Sequence, residues 1–160
     1  MKILFICKHN RGRSKVAEAI FNKLNKNRKI LAESAGLIMD DSRPYIAEKV
    51  LEALKEKGYN AQGLPRQATK NLANKFDVIV IVADNIEKGF FHDAHKSCKI
   101  LDHPENLTNS KEGFLDFQGK IIKWNIKDCD EDDAESIKRI IGKIEKNVRK
   151  LILDLKNTNS

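Results

Sequence analysis

The chain has 160 residues, 41% of them apolar, which is enough for one core and one ordinary domain, expected over residues 1–156 with 157–160 as a frayed tail. Thirty Lys and Arg against 23 Asp and Glu leave a net charge of +7; this suits anionic partners, but the basic residues are scattered as on a solvated surface, which argues against a nucleic-acid face. Three cysteines do not make a disulfide framework, and no apolar run is long enough for a signal peptide or a membrane span, so a cytoplasmic protein without a membrane partner is expected.

Lys2 to Ile6 is a short, nearly continuous apolar run, the pattern of a strand covered on both faces in a parallel sheet. It delivers Cys7-Lys8-His9-Asn10-Arg11-Gly12-Arg13-Ser14, after which Ala17, Ile20, Phe21 and Leu24 recur at helical spacing. Ile30 to Ala32 reads as a second strand ending at a loop, Glu33-Ser34-Ala35-Gly36. A helix is expected to open at Pro44, with Ala47, Val50, Leu51 and Leu54 on its apolar face and Gly58 as a left-handed stop. Thr69 to Lys75 predicts a short helix. Asp77 to Ala83 is the strongest strand and is expected at the centre of the sheet. Asn85 to Lys96 reads as helix, Lys99 to Leu101 as a fourth strand, and 103–123 as a semi-ordered loop. From Ile137 to Leu155 the apolar residues follow one helical stripe, preceded by the acidic cluster Asp128, Asp130, Glu131, Asp132, Asp133 and Glu135. Alternating strands and helices predict an α/β fold with a parallel sheet, whose ligand site lies at the carboxyl ends of the strands.

Cys7 falls at that edge. A cysteine and an arginine with five residues between them, on a loop between a strand and a helix, can aim backbone amides, a guanidinium fork and the helix dipole at one tetrahedral oxyanion. The same surroundings favour thiolate over thiol, so one loop supplies both a nucleophile and its anion cradle. His92, His95, Cys98 and His103 match no zinc spacing, and no metal site or cofactor is expected. Glycine-rich nucleotide signatures are absent.

Cys7-x-x-Asn10-x-x-Arg13-Ser14 after an amino-terminal strand resembles the low-molecular-weight protein tyrosine phosphatases and the thioredoxin-coupled arsenate reductases that share their fold. The resemblance continues through Glu33-Ser34-Ala35-Gly36, Arg66-Gln67-Ala68-Thr69, Phe76-Asp77, Ala83-Asp84-Asn85 and Trp124-Asn125-Ile126-Lys127-Asp128. It implies a four-stranded parallel sheet of order 2-1-3-4 with helices on both faces. It also implies a phosphomonoesterase acting through a phosphocysteine on Cys7. Arg13 would grip phosphate, and Lys8, His9, Asn10, Arg11, Gly12 and Ser14 would complete the binding loop. Ser34 would brace Asn10, and Asp128 would serve as general acid and then base. The implied partner is a phosphorylated protein or a small phosphate ester; the oligomeric state is not legible.

Asp128 is followed by Cys129-Asp130-Glu131, where the phosphatases carry proline and aromatic residues, so the substrate pocket reads as more polar than theirs. The second cysteine of the arsenate reductases would fall near Ala83. Cys129, beside the expected acid, is the candidate redox partner of Cys7 under oxidation. Two alternatives stay open: an arsenate reductase using the same anion pocket, and a non-catalytic protein that binds anions or nucleic acid.

Overall fold

The computed structural model describes residues 1–86, 88–91 and 117–157. In chain order its elements are β1 (Lys2–Cys7), α1 (Arg13–Leu24), β2 (Leu31–Gly36), α2 (Glu48–Glu56), α3 (Lys70–Ala73), β3 (Val78–Val82), a 3-10 turn (Lys88–Phe91), β4 (Lys120–Trp124) and α4 (Ala134–Asn157). The four strands are all parallel in the order β2-β1-β3-β4, the order that the sequence resemblance implied.

Alternate residues of β1 and β3 face opposite layers, as the period of a strand requires. Ile3, Phe5, Val78, Val80 and Val82 pack beneath α1, α2 and α4, where Ile20, Phe21, Leu54, Ile141, Ile144 and Val148 complete the larger core. Leu4, Ile6, Ile79 and Ile81 face the other way, toward Ala73 of α3 and toward Phe76, Phe91 and Phe117. Both faces of the central strands are thus dry, which explains why they read as unbroken apolar runs. Each fully buried Ile, Leu or Phe contributes on the order of 1.5–3 kcal/mol to holding the layers together. α4 starts where Asp133 accepts from the Ser136 amide at 3.0 Å, the expected role of an acid at a helix start.

Several expectations from sequence are corrected. Residues 33–36 are not a loop but the last four residues of β2, because Ser34 and Ala35 are buried against the site and are small enough to be strand residues there. α2 opens at Glu48, not at Pro44, since the Ala47 amide donates to the Arg11 carbonyl and keeps the preceding segment tied to the Cys7 loop. Leu51 is exposed, and Ala53 takes its expected place inside. Gly58 does stop the helix in left-handed geometry at φ +77°. The stretch read as irregular up to 123 holds β4, whose Lys-Ile-Ile-Lys-Trp pattern is that of a half-covered edge strand rather than a central one. The strand expected at 99–101 lies outside the described residues, as do His92, His95, Cys98, His103 and the second half of the helix expected over 85–96. Asn157, expected in the tail, still closes α4; residues 158–160 lie outside the described set. Among the described residues no helix is long and apolar enough to cross a membrane.

Candidate active site

β1 ends at Cys7 and α1 begins at Arg13, so residues 8–12 must turn through a tight loop at the carboxyl edge of the sheet. Asn10 makes this turn in the left-handed region, at φ 57°, which asparagine tolerates better than most residues. The carbonyls of Cys7, Lys8, Arg11 and Gly12 accept from the amides of Leu37, Ile38, Ala47 and Val16, which points the loop's oxygens backward. Among the described residues the amides of 9–12 find no acceptor in the protein. The result is a nest of backbone donors at the start of a twelve-residue helix, a form suited to an oxyanion.

Behind the nest the polar side chains form a closed chain. Asn10 Nδ2 donates to both Ser14 Oγ and Ser34 Oγ at 2.8 Å, and Asn10 Oδ1 accepts from the Arg66 amide at 3.1 Å. Ser34 gives its own hydrogen to Glu18 Oε2, 2.5 Å away. Lys15 Nζ lies 3.3 Å from the same carboxylate oxygen and donates to the Gln62 carbonyl. Ser14 therefore receives a hydrogen from Asn10 and keeps its own available for Cys7 Sγ, 3.0 Å away. Toward a thiolate, which has no hydrogen to give, Ser14 is the donor. Asn10, Ser14 and Ser34 are all buried, so each donor and acceptor in the chain has a partner, as the low-dielectric interior demands.

In front of the nest lies a cavity of about 400 Å³. Its lining includes Cys7, Lys8, His9, Arg11, Gly12 and Arg13 from the loop, Arg43 and Ala47 from the segment entering α2, Val50 from α2 itself, and Asp128 to Asp132 from the turn before α4. Arg13 is buried; its Nη1 donates to the Ile126 carbonyl at 3.0 Å and its Nη2 to Asp128 Oδ2 at 2.9 Å. Asp84 Oδ1 stands 3.9 Å from the same guanidinium. Asp128 itself is largely exposed and also accepts from the Cys129 amide.

Of the loop residues singled out from sequence, Cys7, Lys8, His9, Arg11, Gly12 and Arg13 meet Asp128 and Cys129 at one cavity, whereas Asn10 and Ser14 lie behind it with Ser34. His9 donates from its Nδ1 to the Ile38 carbonyl at 3.1 Å, and its ring is half-buried. Burial pushes its imidazole below the usual histidine range, and the nearby Lys8 adds to this. Cys7 and Cys129 are both free thiols. Burial pushes the Cys129 thiol up, and the charges of Asp128 and Asp133 act in the same direction. Sequence reasoning missed Glu18, Lys15, Arg43 and Glu131. The sequence carried no signal for them, because the burial of Arg11 and Lys15, which brings an anion to each, is set by the fold.

Fold and loop together define an α/β protein with a Cys-x5-Arg loop at the carboxyl edge of a parallel sheet. The family profile described as low molecular weight phosphotyrosine protein phosphatase matches residues 2–160, and the chain belongs to that family. A Synechocystis protein that bears the name of a candidate low molecular weight protein-tyrosine-phosphatase is 28% identical over 155 residues, covering 89% of this chain and 98% of its own. Among solved structures, an arsenate reductase from Archaeoglobus fulgidus is 27% identical with a TM-score of 0.63, covering 94% of this chain and 98% of its own. A low molecular weight phosphotyrosine phosphatase from Vibrio cholerae shares the fold at 19% identity with a TM-score of 0.70, covering 100% and 99%.

One glycine is fixed by this geometry. A Cβ on Gly36 would lie 2.7 Å from the Asn10 nitrogen and from the His9 carbonyl carbon, both backbone atoms of the nest. Gly36→Ala therefore pushes the loop itself, and overpacking of this kind costs about 1–3 kcal/mol. The expected result is a lower Tm together with loss of the stabilisation that added phosphate gives the wild type. Differential scanning fluorimetry with and without phosphate checks it; an unchanged phosphate shift would show that the nest does not bind the anion.

Proposed function

We propose that the protein is a cysteine-dependent phosphomonoesterase working through a phosphocysteine intermediate. What carries this reading is the convergence of Cys7 Sγ, the donated Ser14 hydroxyl, the amide nest and the Arg13 guanidinium on one cavity that Asp128 overlooks. A phosphate dianion in the nest receives the amides and the planar fork of Arg13, which exchanges Asp128 for phosphate oxygens. Charge on the transferring group is stabilised by these fixed donors, so the step needs no metal ion.

The Cys7 thiolate attacks phosphorus in line, forming an S–P bond as the P–O bond to the leaving group breaks. Asp128 gives its proton to the departing oxygen, which leaves as the alcohol. Water then attacks the phosphocysteine while Asp128, now a carboxylate, takes its proton. The S–P bond breaks, and Cys7 returns as thiolate with inorganic phosphate released. Ser14 lowers the basicity of the sulfur in both steps, making it a better leaving group in the second. Substrates are phosphorylated proteins or small phosphate esters, because the cavity wall near Asp128 carries carboxylates where a ring-stacking surface would favour phosphotyrosine.

Two free thiols on one cavity support a second reading, arsenate reduction in which Cys129 attacks the arsenylated Cys7 sulfur, so that the two thiols give two electrons to arsenic, release arsenite and become a disulfide that a thiol donor reduces. The raised Cys129 thiol works against it, since a protonated sulfur is a slow nucleophile at neutral pH. A single panel separates the readings: p-nitrophenyl phosphate in the presence of a chelator, with and without vanadate, and arsenate with a thiol donor. Vanadate-sensitive release of p-nitrophenol is expected. Arsenite production that is lost in Cys129→Ser favours the reductase, and salt-sensitive anion binding with no turnover of either would leave a binding protein.

A further inference from the structure

We propose that Glu131 is a positioning residue for Asp128, tethering the acid-bearing segment to the anion loop through Arg11 and Arg43. The inference rests on the phosphatase reading above and adds to it a residue that the chemistry itself does not use.

Arg11 is a loop arginine, yet it does not point its fork into the nest. Its Nε donates to the Tyr45 carbonyl at 2.9 Å, its guanidinium lies 5.7 Å from the Tyr45 ring centroid, and both terminal nitrogens reach the Glu131 carboxylate. Arg43 Nη1 donates to Glu131 Oε1 at 2.9 Å and is itself paired with Asp40, whose carboxyl is held down to about 2, first by its Ser42 hydrogen bond and then by Arg43. Arg11 is only 5% exposed. A guanidinium that dry is stable only with its anion in place, so Glu131 is bound more firmly than a surface ion pair would be.

The consequence appears when substrate arrives. In the free site two arginines of one loop hold the turn before α4: Arg13 grips Ile126 and Asp128, and Arg11 grips Glu131. Phosphate takes the fork of Arg13 away from Asp128, while nothing in the reaction takes Arg11 from Glu131. Between Ile126, anchored in the core, and Asp133, anchored as the cap of α4, the other ties among the described residues are the half-buried Cys129 side chain against the core and Lys49, which donates to the Asp132 carbonyl at 2.9 Å and lies 3.2 Å from its carboxylate. The Lys49 contact joins exposed side chains and is screened by salt. Glu131 is thus the tie to the anion loop itself that remains on the Asp128 segment once Arg13 is occupied.

Glu131→Gln removes the charge but keeps the length. The measurement is kcat/KM for two aryl esters, phenyl phosphate, whose leaving group needs a proton, and 2,4-dinitrophenyl phosphate, whose leaving group does not. The expected result is that the ratio of the second to the first rises by about tenfold, part of the 10²–10⁴ that general acid catalysis supplies. In an Asp128→Asn background the same substitution is expected to leave that ratio where Asp128→Asn alone puts it. Arg43→Met, at a half-exposed side chain that leaves the Arg11 pair intact, is expected to move the ratio the same way by less, and stands in if Glu131→Gln does not fold. An equal fall for both esters, or an unmoved ratio, overturns the tether while leaving the phosphatase reading in place. A wild-type protein that hydrolyses neither ester overturns both.

Discussion

Replacing Cys7 by serine is expected to lower p-nitrophenyl phosphate turnover by at least about 10⁴-fold, the scale of losing a nucleophile that forms a covalent intermediate. Serine can occupy the place: Cys7 is 3% exposed at the end of a strand, and a hydroxyl there can still accept from Ser14. What it cannot do is ionise at neutral pH or leave readily from phosphorus. Phosphate binding is expected to persist or tighten, because the nest amides and Arg13 are untouched and a negative sulfur no longer faces the dianion. Turnover and an isothermal titration with phosphate, read on the same sample, separate lost chemistry from a lost fold. Chelator-resistant hydrolysis in Cys7→Ser would end the phosphocysteine mechanism, and loss of phosphate binding together with activity would point to a collapsed loop.

The parts legible in the sequence are those in which one physical rule acts alone. Val78 to Val82 could be read as a central strand because both faces are dry, and the α4 stripe could be read because burial on one face imposes helical spacing from Ile137 to Leu155. The Cys7 loop was legible because the chemistry of an anion cradle demands particular residue types at a particular spacing. Where two requirements compete, the sequence misleads. Ser34 and Gly36 look like loop residues, but they are strand residues chosen small: Ser34 must reach Asn10 and Glu18, and Gly36 must let the loop backbone lie against it. β4 is masked by lysines at its half-exposed positions, so an edge strand resembles a charged loop. Glu131 lay in an acidic run that reads as solvated surface, and only the position of Arg11, 120 residues earlier, shows that one member of the run is half-buried and paired.

Asp128→Asn carries the second large effect. Asparagine keeps the shape, but its single amide oxygen can accept from Arg13 or from the Cys129 amide and cannot replace both carboxylate oxygens. The segment is expected to hold its place through the Arg13 bond to the Ile126 carbonyl and the Arg11–Glu131 pair. The proton for the leaving oxygen is gone, and kcat/KM for phenyl phosphate is expected to fall by about 10²–10⁴-fold, with a much smaller loss for 2,4-dinitrophenyl phosphate. The base for the second step is gone as well, so the phosphocysteine is expected to accumulate and to be trapped by acid quench and seen by mass spectrometry. A third consequence follows from the free site alone. The Asp128 carboxylate sits 2.9 Å from the Arg13 fork that phosphate must take, and it competes there as an anion. A neutral amide competes less, so inhibition by phosphate is expected to strengthen in the same variant that loses catalysis. Weaker activity with weaker phosphate binding would instead make Asp128 a structural partner of Arg13. An unchanged kcat/KM for phenyl phosphate would move the acid to another carboxylate of the cavity, of which Asp130 is the nearest in sequence.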